Sequence, residues 1–220
     1  MDFDLSKISS HQTYNLLNGL VAPRPIAWIT SHDREGRVNA APFSAYNYVC
    51  TDPPVLAIGV ANRPAENIVG KDTAQNIRNM REFVVNVVNE DVAEAMNFCA
   101  IDFPQGVDEL KLAGVETEPS IVVSVPRISR APAAMECREI TSMEIGNSRI
   151  VLGQVVAMHV KDEFLDPAGP YIRAEQLHAI GRMNGRSAYI KTRDAFFHMP
   201  RVTYEEWEKK NGEVRPGDGK

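Results

Sequence analysis

The chain has 220 residues, room for one domain or little more. Its 24 Lys and Arg against 29 Asp and Glu leave a formal charge of −5, with 44% apolar and 24% charged residues. That composition excludes a disordered chain, supplies a sizeable core and argues against a dedicated nucleic-acid binder, although a local basic pocket for a small anion stays open.

Ser9 and Gln12 have the spacing of a capping box, and Gly19 is placed to end the short helix that follows. After Pro23-Arg24-Pro25, residues 26–30 read as a strand, 32–36 as a turn and 37–41 as a return strand. The apolar run 54–60 is a further strand, and Asp72 with Gln75 starts a helix running to about Arg81. Residues 83–88 form a valine-rich strand. Val92, Ala95, Met96 and Cys99 fall on one face of a helix over 91–100, with Asp91 and Glu94 as capping candidates. A short helix over 107–113 closes at Gly114. Strands are expected at 120–125, 134–145 and 149–159, the last two joined by Gly146-Asn147-Ser148 as a hairpin turn. Nine of the 16 residues in 205–220 are charged, which marks a solvated tail behind a single domain over 1–204. The pattern is strand-rich, with helices inserted between strands rather than alternating with them. It fits a mainly β barrel with flanking helices better than a doubly wound sheet.

The longest apolar runs, 54–61 and 150–160, fall far short of a bilayer span, and Met1-Asp2-Phe3-Asp4 lacks the basic and apolar regions of a signal peptide. Cys50, Cys99 and Cys137 are odd in number and widely spaced, so they read as reduced thiols packed as small hydrophobes. These features imply a cytoplasmic protein with no membrane or nucleic-acid partner. The five histidines form no HxH or HExxH pair, which leaves a metal site without support. No GxGxxG opens a dinucleotide fold, and no GxSxG elbow carries a serine nucleophile.

Three clusters carry candidate chemistry. Lys71-Asp72-Thr73 stands at a helix start, where free amides, a cation and a hydroxyl welcome an anion; on these three residues alone an ordinary capped surface helix is the favoured reading. Trp28, Thr30 and Ser31, with Asn39, Ala41, Phe43 and Ser44, put small and hydroxyl residues at two strand ends; a flat ligand can approach there, and an edge hairpin with a polar turn has the same pattern. Arg182 and Tyr189 flank a glycine-containing loop downstream of His178, suited to a phosphate or a planar ring, or else a solvated loop.

Together the clusters resemble the flavin reductase-like family, the FMN-binding split barrels that include flavoredoxins and the reductase components of two-component flavin monooxygenases. The resemblance rests on Pro23-Arg24-Pro25-Ile26-Ala27-Trp28-Ile29-Thr30, on Ala41-Pro42-Phe43-Ser44, on Asp52-Pro53-Pro54 and on Lys71-Asp72-Thr73. It continues through Phe83-Val84-Val85-Asn86, Phe103-Pro104, Pro126-Arg127-Ile128 and Met135-Glu136-Cys137, and so runs from about Gly19 to Val202. It implies a six-stranded antiparallel split barrel forming a homodimer. FMN, rather than FAD, would lie in a groove near the dimer interface. Thr30, Ser31, Asn39, Ala41, Phe43 and Ser44 would line the ring and ribityl chain, with Trp28 in the same segment. Lys71 and Thr73 would hold the phosphate, Cys50 and Thr51 would face the cofactor, and Arg182 and Tyr189 would come from the late loop. Ala179 stands where some relatives place a proline after histidine, so His178 gains no nicotinamide role. The implied activity is an NAD(P)H:flavin oxidoreductase with no general acid or base, passing reduced FMN to a monooxygenase or another acceptor. The alternative is a flavoredoxin-like carrier without NAD(P)H activity.

Overall fold

The computed structural model describes residues 1–61, 72–104, 107–194, 196–199 and 201–209. The expected capping box forms: the Gln12 amide donates to Ser9 Oγ and the Ser9 amide to Gln12 Oε1, opening α1 (Ser10–Leu20). The helix runs through Gly19 and ends at Val21, whose N–H donates to Leu17 O, so Gly19 is an interior residue and not the stop.

Seven strands build the main sheet: β1 (Ala27–His32), β2 (Val38–Phe43), β3 (Tyr46–Thr51), β4 (Pro54–Ala61), β5 (Glu82–Val87) and, after the two-residue strands β6 (Thr117–Glu118) and β7 (Arg127–Ile128), the long pair β8 (Ala133–Ile145) and β9 (Ser148–Val160). Their order is β2-β1-β5-β8-β9-β4-β3, and every neighbouring pair is antiparallel. The sheet therefore has seven strands and an open ladder, where six were expected. Alternating direction along this order makes the two edge strands, β2 and β3, point the same way. Only Ser44 and Ala45 separate them in the chain. They are thus two halves of one bent strand, the first paired with β1 and the second with β4. The bend rolls the sheet, and the Gly59 amide donates to Ala45 O at 2.7 Å across the meeting point. Sequence reading missed β3 because Pro42 and Ser44 look like a strand ending, whereas here they precede a change of partner.

Period-two alternation sorts the side chains into two layers. Ala27, Ile29, Phe43, Leu56, Ile58, Phe83, Val85, Cys137 and Val151 fill the inside of the roll. Helix α2 (Asp72–Met80) plugs one end through Ala74 and Ile77. Trp28, Ala40 and Val88 face outward and are covered by Val92, Met96 and Cys99 of the segment around α3 (Ala93–Phe98) and by Leu110 of α4 (Glu109–Leu112). Helix α4 ends as expected: Gly114 has φ +65°, its N–H donates to Lys111 O, and the Val115 N–H donates to Leu110 O, the Schellman pattern. The expected cap from Asp91 and Glu94 does not form; α3 starts from Val92 without a side-chain cap. The β8–β9 turn is as expected, with Gly146 at φ +56° in the first central position, where a side chain would be strained.

Residues 120–125 are not a strand. The amides of Ile121, Val122 and Val123 donate to the Glu136 carboxylate at 2.7, 2.7 and 2.9 Å, so a buried side chain replaces a neighbouring backbone as their acceptor. The late loop contains two short strands, β10 (Ile180–Arg182) and β11 (Tyr189–Lys191), after α5 (Ala174–Leu177). Tyr204–Lys209 form an exposed helical turn, α6; the remainder of the expected tail lies outside the described residues.

Candidate functional site

The open edge of β2 is where backbone polarity is left to be used. The Ala40 amide points away from β1 and donates to Glu109 Oε2 at 3.2 Å. Pro42 lies two residues on along the same edge and has no N–H to leave unpaired. Two cavities follow this edge and share Pro42 and Ala100 as a wall.

The smaller, about 60 Å³, is lined by Asn39, Ala41, Asp72, Thr73, Asp102 and Glu109 among others. Asn39 and Thr73 meet at 2.9 Å. The amide orientation that satisfies every partner has the Ala40 amide and Thr73 hydroxyl donating to Asn39 Oδ1, while Nδ2 donates to Glu109 Oε1 at 3.2 Å. Burial pushes the Glu109 carboxyl above its ordinary range; the Ala40 amide opposes that shift, and the negative charges of Asp72 and Asp108 reinforce it. Behind this rim, Asn76 donates to Ser31 Oγ at 3.2 Å, fixing α2 to β1.

The larger cavity, about 430 Å³, is lined by Arg24, Pro42, Phe43, Ser44, Arg182 and Tyr189, with Tyr14, Asn18, Asn97 and Ser187 nearby. It joins the early and late sequence clusters in one chain. The Arg182 guanidinium lies 4.7 Å from the centroid of the Tyr189 ring, and the Tyr189 hydroxyl donates to Asn97 Oδ1 at 3.4 Å.

The structure thus gathers Asn39, Ala41 and Thr73 at one end, and Phe43, Ser44, Arg182 and Tyr189 at the other. It places five expected site residues elsewhere. Trp28 is wholly buried in the outer core layer. Thr30 is equally buried, donates to Pro126 O at 2.7 Å and accepts from Asn86 Nδ2 at 3.3 Å. Ser31 is buried against Asn76. Cys50 and Thr51 lie exposed on β3 and line neither cavity, so Cys50 is not a packed thiol; its Sγ donates to Asp52 O. Cys99 is packed, and burial, with the charge of Glu109, pushes its thiol up to about 12. Lys71 lies outside the described residues. Sequence reasoning missed Arg24 and Glu109. Arg24 sat between two prolines and read as part of a break, while Glu109 looked like an ordinary first-turn acid on a short helix. Among the described residues no cluster of His, Cys, Asp or Glu could hold a metal, and no helix is long and apolar enough to cross a membrane.

The flavin reductase like domain matches residues 20–179, which span the rolled sheet, both cavities' β2 walls and α2 to α4. The chain belongs to the flavin reductase-like family. A protein of Deinococcus radiodurans is 37% identical over 221 residues, covering 98% of this chain and 96% of its own. Among solved structures, 2-nitrobenzoate 2-nitroreductase NbaA of Pseudomonas fluorescens is 36% identical with a TM-score of 0.83, covering 93% of this chain and 98% of that one. Nitrilotriacetate monooxygenase component B of Bacillus cereus is 30% identical, also with a TM-score of 0.83, covering 92% and 98%. In this member of the family the edge of β2 is lined at both ends by residues from distant parts of the chain.

Proposed function

We propose that this chain is an FMN-dependent oxidoreductase that takes hydride from NADH or NADPH. The observation that carries the reading is the pair of cavities meeting at Pro42 and Ala100 along the unpaired edge of β2. The donor set suits FMN in kind. Hydroxyl and amide groups of Thr73 and Asn39 stand at the narrow end, with Lys71, two residues before Thr73 in the sequence, for the phosphate. Ala41, Pro42 and Phe43 offer a flat, apolar shelf for a ring, and Ser44, Arg182 and Tyr189 stand at the ring end. FAD, with a second phosphate and an adenosine, fits this narrow end less well.

When bound, the flavin supplies the hydride chemistry; the chain supplies position and charge. Thr30, Ser31 and Trp28 act from behind. Their buried hydrogen bonds and packing hold β1, and β1 holds β2 in register. Hydride transfer itself calls for no general acid or base, and none is assigned. The exposed strand β3, with Tyr48, Val49, Cys50 and Thr51, is the surface we assign to a second copy in a homodimer. The named activities of the two solved relatives, nitroreduction and service to a monooxygenase, support an electron acceptor beyond the flavin, with a monooxygenase as one such partner.

The deciding experiment is an absorbance spectrum of purified protein with added FMN, followed by anaerobic NADH and then NADPH. Flavin bands that bleach with either nucleotide support the reductase and identify its donor. Bound flavin that reacts with neither supports a flavoredoxin-like carrier. Failure to bind flavin overturns the site.

A further inference from the structure

The two arginines of the larger cavity are placed against one another. Arg24 and Arg182 exchange both backbone hydrogen bonds, each N–H donating to the other's carbonyl at 2.9 Å. Residues directly opposite in such an antiparallel pair send their side chains to the same side, and like charges there repel. Arg24 is buried, with only 8% of its surface exposed. Its Nη1 donates to Asn18 O at 2.8 Å and to Val21 O at 2.6 Å, so the end of α1 fixes the guanidinium and its carbonyl dipoles partly balance the charge. No carboxylate lines the cavity, and neither arginine forms an ion pair with a described residue. Burial, and then the charge of Arg182, hold the Arg24 guanidinium below its ordinary range.

A buried Arg24 facing a half-buried Arg182 with no carboxylate in the cavity is costly unless something supplies the opposite charge. We propose that this cavity is a binding subsite for an aromatic carboxylate, held by Arg24 and Arg182. Two guanidiniums match the planar, two-oxygen geometry of a carboxylate. The remaining lining suits an attached ring: Tyr14 and Tyr189 offer aromatic faces, Met96 and Pro42 apolar contact, and Asn97 an amide at the far wall. Arg182 is already pre-organised by stacking on Tyr189 and by donating from Nε to Asn184 O at 3.0 Å. This cavity is also the ring end of the groove assigned above to the flavin, so the acid would lie against the ring there and its role as a second substrate rests on that reading; its binding does not.

The test is calorimetric titration of the purified protein with benzoate, with its neutral counterpart benzamide and with inorganic pyrophosphate, each with and without added FMN. Saturable benzoate binding that weakens with salt is expected, with benzamide weaker by roughly tenfold or more. Arg182→Gln keeps the backbone bridge and should weaken benzoate by roughly tenfold, with Arg182→Lys falling between, because charge survives but the fork does not. A thermal melt checks that both variants fold. No benzoate binding, equal binding of benzamide, or an unaltered affinity in a folded Arg182→Gln overturns the proposal. Pyrophosphate binding in preference to benzoate also overturns it and reassigns the arginines to a nucleotide phosphate. Benzoate binding without any FMN uptake would sink the flavin reading alone.

Discussion

The Nε2 atom of His159 lies 2.6 Å from Oε1 of Glu136, a carboxylate with no exposed surface. The same carboxylate accepts the amides of Ile121, Val122 and Val123, so one side chain anchors a loop that passes over the outside of β5 and β8. Removing it orphans three amides and an imidazole together. Glu136→Ala should therefore lower stability by about 3–5 kcal/mol in a denaturant titration, the usual range for breaking a buried charged contact. A loss below about 1 kcal/mol would mean that the loop finds other acceptors.

Glu136 also sets an acid limit. Burial alone would raise its pKa, but the Ile121 amide, His159 and the next two amides outweigh that and leave it below the ordinary carboxylate range. A depressed carboxylate stabilises the fold above its unfolded value, and that contribution is lost as pH falls through the folded value. Melting temperature should drop through this acid window, and less steeply in a folded Glu136→Gln protein. Parallel pH curves for the two would remove Glu136 from the account.

Glu109 has the opposite sign. Its raised pKa means that the unfolded chain ionises first, so stability should fall as pH climbs from the ordinary carboxylate range through the higher folded value. Glu109→Gln should flatten that part of the curve. An unchanged pH profile would show that the buried carboxyl finds a counter-charge.

Gly153 faces the Phe83 ring inside the roll, and an added Cβ would fall within the van der Waals envelope of that ring. Phe83 is fully buried and has nowhere to retreat. Gly153→Ala should cost about 1–3 kcal/mol by overpacking, and Phe83→Leu in the same protein should recover part of it. Additive losses in this double-mutant cycle would mean that the two positions do not meet.

Lys71→Ala should weaken FMN binding by about 1–3 kcal/mol if the lysine pairs with the phosphate. Thr30→Val should act differently. Its hydroxyl holds Pro126 O and accepts from Asn86, so the expected effect is about 1 kcal/mol of stability. A fluorescence titration with FMN separates the two, since an unchanged FMN affinity in Lys71→Ala would detach the lysine from the site.

Local signals were legible in the residues. Ser9 with Gln12, Gly114 after α4 and Gly146 in the β8–β9 turn each act within a few positions, and each forms as read. Long-range substitutions were not. The run Ile121-Val122-Val123-Ser124-Val125 has β-branched residues in strand style, yet its amides go to a carboxylate more than a dozen residues away. Thr30 and Ser31 looked like ligand-facing hydroxyls because sequence does not reveal that β1 is covered on both faces. Arg24 became visible only when the chain brought Arg182 opposite it.

The bend at Ser44 and Ala45 has a mechanical consequence. Because β2 and β3 belong to different neighbours, tension on one half of the strand is borne by β1 and on the other by β4. The corner is then a hinge pin between two panels, held across the gap by the Gly59 amide. Whatever sits in the groove beside β2 therefore rests on the β1 side of that corner, and β4 carries only the other half of the strand.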